Sequence, residues 1–267
     1  MRRLLDIYAT LFRTDTALML QYRAAMLIWL LGLVLQPVVY LVVWLTVAAA
    51  QGGQVGGFTG GDLAAYYIVM MLVNHATFTW HMFEMGWRVR SGSFNPLLVQ
   101  PLHPMHRDVA ENVAYKLLTF VAVAPVVAFM VWFFEPDFHS PAWALVATVP
   151  ALLLAFALRF LIEWTVGLLA FWITDTSGLH QLYMAGVMFL AGRMAPLELM
   201  PGWVQDLAAA LPFRWMVAFP VELALGRLSR AEAVDGLLVQ GLWIVLGAGA
   251  LSLTWGRAVR RYSAVGN

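Results

Sequence analysis

The sequence predicts an all-α polytopic membrane protein. It reads as six transmembrane helices, an amphipathic interfacial helix ahead of them, and a re-entrant helical hairpin on the outer side before the last span. Three observations carry that reading. Of 267 residues, 62% are hydrophobic and 12% charged, which is far from the balance of a soluble domain. Apolar runs recur at the roughly 20-residue length needed to cross about 30 Å of hydrocarbon. Lysine and arginine cluster beside alternate loops, as the positive-inside rule requires when both termini are cytoplasmic. The chain reads as one domain, residues 1–267.

Residues 1–23 form the interfacial helix. Leu4, Leu5, Tyr8, Leu11, Phe12, Leu18, Met19 and Tyr22 follow helical spacing, while Arg3, Asp6, Thr10, Arg13, Thr14 and Gln21 fall mainly on the other face. A basic topogenic leader would need the charge but no second face. The arginines of this segment sit naturally near anionic lipid headgroups.

The first span is Ala24–Ala50, in a stretch without a charged residue from Ala24 to Gly61. Ala48-Ala49-Ala50 resembles a signal-peptide cleavage site, but the apolar run before it is too long for an h-region. Leu63–Phe83 is the second span, Val113–Phe134 the third and Ala142–Thr174 a long, tilted fourth. Leu179–Ala195 is a shorter fifth, and Ala233–Trp255 the sixth. Arg2, Arg3, Arg13 and Arg23 precede the first span. Arg88, Arg90, Arg107 and Lys116 lie between the second and third, and Arg257, Arg260 and Arg261 follow the sixth. The intervening loops 51–62 and 135–141 hold neither Lys nor Arg. Arg193, Arg214, Arg227 and Arg230 stand on the outer side against the rule, so residues 196–230 need an account of their own. Pro196, Pro201, Pro212 and Pro220 cut that segment into pieces too short to span, so it reads as short helices dipping into the outer leaflet.

A polar island, Arg88–Pro104 (RVRSGSFNPLLVQPLHP), interrupts the cytoplasmic loop of residues 86–112. Pro96, Pro101 and Pro104 limit helix there to short pieces. Two arginines, a flexible Ser91-Gly92-Ser93 and an apolar Leu97-Leu98-Val99 suit a docking element better than a linker. Arg88, Arg90, Phe94, Leu97, Leu98 and Pro101 are the candidate contacts, with the arginines fixing the loop's start and Phe94, Leu97 and Leu98 as apolar anchors.

Several chemistries are excluded. Cysteine is absent, which removes disulfides, thiol catalysis and Cys-based metal sites. Lys116 is the only lysine, and no GxxxxGK[ST], HExxH or GxSxG occurs, so no nucleotide site, cofactor or catalytic residue is expected on this chain. Arg159 and Glu163, four apart in the fourth span, read as a neutralising pair that holds helices together rather than a substrate or proton site. His81 and Glu84 share a helical face, but the step of six puts His75 on the opposite side, which argues against a metal site. Gln36, Asn74 and His75 are polar groups at bilayer depth and so candidates, with Tyr40, Trp29 and Trp80, for lining a substrate path.

Together these features resemble the type-2 permeases of ATP-binding-cassette (ABC) exporters, in particular the small paired permeases. The resemblance rests on the R-x-G-x-x-x-x-L-L-x-x-P-L-x-P pattern from Arg90 to Pro104 and on the stretch APLELMPGWVQDLAAALPFRWMVAFPVELALG before the last span. It covers the whole chain, the leader matching that family's interfacial helix. It implies a permease in the bacterial plasma (inner) membrane, dimeric with an identical or paralogous second permease chain and surrounded by lipid. Two cytosolic ATPase subunits would hold ATP and Mg, and Arg88–Pro104 would lead into and form the coupling helix. The substrate would be an amphipath such as a drug, lipid or glycoconjugate; nucleic acid is not a partner. Two other readings stand beside this one: a membrane-embedded enzyme using His75, His81 and Glu84, and an ion-coupled carrier working alone.

Overall fold

The computed structural model describes residues 2–261, and within them the side chains of all but residues 2–5, 23, 26 and 27. The expected apolar contributions of Leu4 and Leu5 and the charges of Arg2, Arg3 and Arg23 therefore lie outside the described side chains. Helix dominates. α1 (Arg2–Gln21) and α2 (Arg23–Ala50) meet at Tyr22 and differ in what surrounds them. α1 lies along α6 (Pro104–Phe134), with Tyr8 Oη 2.7 Å from His106 Nδ1. The flank facing α6 includes partly buried Phe12 and Met19 and buried Asp15, while Ile7, Leu18 and Leu20 are exposed.

Beyond α2 a small hairpin, β1 (Gln54–Val55) and β2 (Phe58–Thr59), turns through Gly56 and Gly57, both at positive φ, as a two-residue hairpin requires. Thr59 then caps α3 (Gly60–Thr77) reciprocally with Asp62. α3 is enclosed by α2, α6, α7 (Ala142–Leu168) and α11 (Ala218–Ala224). Its neighbours bury Leu63, Tyr66, Tyr67, Ile68, Met70 and Met71 almost completely.

The expected second span is broken. α3 stops at Thr77, and α4 (His81–Arg90) begins after three non-helical residues, Phe78-Thr79-Trp80. α5 (Asn95–Leu98) is a single turn, and Pro104 opens α6 nine residues before the expected third span. The connection outside helix on this side is therefore shorter than the expected loop 86–112. α7 ends in a 3-10 turn (Leu169–Phe171), and α8 (Ser177–Leu190) has 14 residues. After a second 3-10 turn (Leu197–Leu199) come α9 (Gly202–Ala210), α10 (Pro212–Met216) and α11 (Ala218–Ala224). Three short pieces stand where two were expected, because both Pro212 and the backbone turn at Val217 interrupt the chain.

α12 (Arg230–Arg261) closes the bundle on α7. Gly236 permits the contact with α11, since a Cβ there would stand 2.0 Å from the buried Phe219 ring. Buried Gln240 ties three elements together, donating to the carbonyls of Ala151 (3.1 Å) and Trp215 (2.8 Å). Among the described residues four helical stretches are long and apolar enough to cross a membrane: Ile28–Ala50, Pro104–Phe134, Ala142–Phe171 and Arg230–Arg261. These correspond to the first, third, fourth and sixth expected spans.

Candidate functional site

The break in the middle of the bundle is stitched by charge. Opening a helix leaves carbonyls and N–H groups without partners, and each costs several kcal/mol in a medium without water. Here the ionisable residues of α6 and α7 supply those partners. Lys116 Nζ donates to the Phe78 carbonyl at 2.6 Å and also to the Asn112 side chain. Glu163 accepts from the Thr79 backbone N–H (3.2 Å) and from the Thr79 hydroxyl. Arg159 pairs with Glu163 at 2.8 Å, both wholly buried, and its guanidinium reaches back to Asn74 (3.0 Å) and Thr77 (3.1 Å) on the last turn of α3. Tyr183 of α8 donates to the same carboxylate at 3.1 Å. One arginine, one glutamate and one lysine thus bind α3, the Phe78-Thr79 break, α6, α7 and α8 into a unit.

This network absorbs two residues expected to line a path. Asn74 accepts from Arg159, and His75 sits 2.8 Å from the Thr119 hydroxyl with its ring against Phe120. Both are buried between helices. Trp80 stacks on His81 with ring centroids 4.9 Å apart. Trp29 lies three-quarters exposed on the outside of α2.

Below the break a second polar seam joins α4 to α6. Arg88 forks between Glu84 and Asp108, each at 2.8 Å. His81 Nε2 is 3.7 Å from carboxylates of both Asp108 and Glu111, and neither ring nitrogen has a hydrogen-bond partner. Those three side chains are near enough to hold a cation. Asp108, however, already accepts from Arg88 and from Trp164 Nε1 (2.8 Å), and the guanidinium puts positive charge beside the spot an ion would fill. Of the trio of the enzyme reading, His81 and Glu84 border the same Arg88–Asp108 seam, while His75 turns to Thr119 and stands apart from them.

The seam leads straight into the loop expected to dock a partner, and there the anchors are reassigned. Phe94 is completely buried, edge-on to Phe171 (5.5 Å between centroids) and near Trp255 (6.2 Å). Leu97, one turn on, is buried in the same cluster, and Leu98 packs beside it. Arg90 donates to the Thr174 carbonyl at 2.7 Å. These residues hold the loop down rather than present it. The surface left open is Pro96, Val99, Gln100 and Pro101, with Val99 85% exposed. The sequence reading has Val99 in the apolar run but not among the candidate contacts. The clue was available, because α5 is one turn long: if Phe94 and Leu97 face inward at a step of three, Pro96 and Val99 face away.

At the opposite end, α8 stops short. Its freed backbone is met by side chains, Tyr66 Oη donating to the Gly192 carbonyl (2.7 Å), and Tyr67 Oη (2.7 Å) and Trp44 Nε1 (3.0 Å) both donating to that of Met194. Gly192 holds φ at +74°, and a Cβ there would stand 2.5 Å from Tyr66 Oη. The turn aims Arg193 at α2, where Nη2 donates to Gln36 Oε1 at 2.7 Å. Tyr40, one turn along, lies 3.5 Å from Gln36 Nε2. Gln36 and Tyr40, both expected path residues, are therefore brought together with an arginine that sequence reasoning had only noted as out of place.

The chain matches the family described as ABC-2 family transporter protein over residues 34–266. Comparison with curated proteins and with solved structures finds no match.

Proposed function

This chain belongs to the ABC-2 transporter family, and from that premise we propose that it is the membrane-embedded permease subunit of an ABC exporter. It would form, with a second permease chain, the path for an amphipathic substrate, powered by separate cytosolic ATPase subunits that hold ATP and Mg. The observation that carries this reading is the loop of residues 91–103. Phe94, Leu97, Arg88 and Arg90 pin it rigidly to the helices, while Pro96, Val99, Gln100 and Pro101 stand open for a partner. A lever must be stiff toward the body it moves and complementary toward the body that pushes it. The polar seam Arg88–Asp108–Trp164 and the Lys116–Phe78 contact would transmit displacement of that loop into α3, α6 and α7.

In this reading α3 with α4 is the second span and α8 the fifth, giving six, with both termini and residues 91–103 in the cytoplasm of a bacterial cell. Residues 196–230 then dip into the outer leaflet without crossing. Their charges support this, because Arg214 pairs with Glu222 at 2.9 Å and Arg227 with Glu198 at 2.8 Å, so neither arginine is naked in an apolar setting. The test is hydrolysis. The purified chain should hydrolyse no ATP in liposomes and should do so only when co-purified with an ATPase; sustained transport by the chain alone would refute the reading.

A further inference from the structure

Of the arginines that stand against the positive-inside rule, Arg214 and Arg227 have carboxylates and Arg230 lies exposed with its guanidinium 5.6 Å over Trp143. Arg193 is different. It is half-buried, its Nε is enclosed without a hydrogen-bond partner, and no carboxylate among the described residues lies within ion-pair distance of it. Among the described residues its one hydrogen bond is to the neutral Gln36. Gln36 lies about 12 Å along the axis from Ile28, the start of that apolar stretch, at about 1.5 Å per residue, so the guanidinium meets α2 at apolar depth. A guanidinium there without a carboxylate in ion-pair reach is costly to keep, and ionisable groups at that depth mark substrate paths.

The surroundings describe the rest of the guest. Gln36, Tyr40 and Met188 give a small polar ledge beside the guanidinium, Tyr40 Oη donating to Met188 Sδ at 3.5 Å. The same stretches of α2 and α8 leave Leu35, Val39 and Phe189 exposed, an apolar surface on either side of one positive charge. We propose that Arg193, with Gln36 and Tyr40, binds the anionic headgroup, phosphate or carboxylate, of the amphipath that this permease carries. The guanidinium would take the anion through two of its N–H donors, while the apolar flanks take the chain. This rests on the permease reading given above.

The test uses the full chain in nanodiscs of phosphatidylcholine, with radiolabelled dodecyl phosphate as probe and inorganic phosphate and dodecyltrimethylammonium as competitors. Saturable binding of dodecyl phosphate is expected, weakened about tenfold or more by Arg193→Gln and kept within a few-fold by Arg193→Lys, the scale of a lost charge-assisted hydrogen bond. Neither competitor should displace it. Equal binding by Arg193→Gln, displacement by the cationic amphiphile, or displacement by inorganic phosphate as readily as by unlabelled probe would each overturn the proposal. A change of oligomeric size on Arg193→Gln would also overturn it, by assigning the guanidinium to a subunit contact. Binding is read without ATPase present, so charge-dependent binding in a chain that captures no ATPase would leave the site standing and sink the permease reading alone.

Discussion

Lys116 donates to the backbone carbonyl of Phe78 across 2.6 Å, so the only lysine of the chain caps a helix that stops inside the bundle. Lys116→Met removes the donor and strands that carbonyl and the Asn112 side chain. A loss of about 1 to 3 kcal/mol is expected, the cost of a buried group left unsatisfied. The measurement is the thermal midpoint of the purified protein in detergent. An unchanged midpoint would mean that water, not lysine, serves the break.

Glu163→Gln should cost more. It leaves the Arg159 guanidinium buried without a counter-charge and weakens the contacts to Thr79 and Tyr183. Breaking a buried pair from one side costs about 3 to 5 kcal/mol. The double change Arg159→Leu with Glu163→Leu should recover part of that loss, since it removes both charges. A double variant no more stable than Glu163→Gln would contradict the structural role given to the pair.

The loop predicts a split between stability and coupling. Phe94→Ala empties a buried aromatic site and should destabilise the protein by about 3 to 5 kcal/mol. Val99→Asp changes a side chain that touches solvent, so the midpoint should hold while ATP hydrolysis coupled to transport falls at least tenfold, as for an interface anchor. If Val99→Asp transports normally with the ATPase still bound, the docking face has been misassigned.

How much of this was legible follows from where each cause lies along the chain. The four long apolar helices were readable because their signal is local: twenty apolar residues announce themselves. The pairing of Arg159 with Glu163 was readable for the same reason, being one helical turn. The break at Phe78-Thr79-Trp80 was not. It contains no proline or glycine, and its stabilisers, Lys116 and Glu163, come from helices 38 and 84 residues away. The inward turn of Phe94 likewise depends on Phe171 and Trp255, remote in sequence, so an exposed apolar anchor and a buried one looked alike. Arg193 was visible as an anomaly, but its approach to Gln36 depends on α8 ending early.

Close packing gives a further check. Gly236→Leu would drive a side chain into the Phe219 ring and force α12 from α11, with an expected loss of about 1 to 3 kcal/mol for overpacking, or failure to fold. Gly241→Leu, five residues on in the same helix with open space at its Cβ, should be tolerated. Expression and midpoint of the two variants side by side make the comparison. Equal behaviour would show that the α11–α12 contact is not tight.

The central claim is that residues 96–101 seat on a separate ATPase. The chain has no cysteine, so a single Val99→Cys carrying a photo-crosslinker reports one position only. Illuminated in native membranes, it should capture a polypeptide whose sequence holds a P-loop, while the same label on Leu182→Cys, an exposed apolar position of α8, should not. Capture of the P-loop protein from Val99 alone is the predicted result. Its absence at Val99, or equal capture from Leu182, would contradict the account.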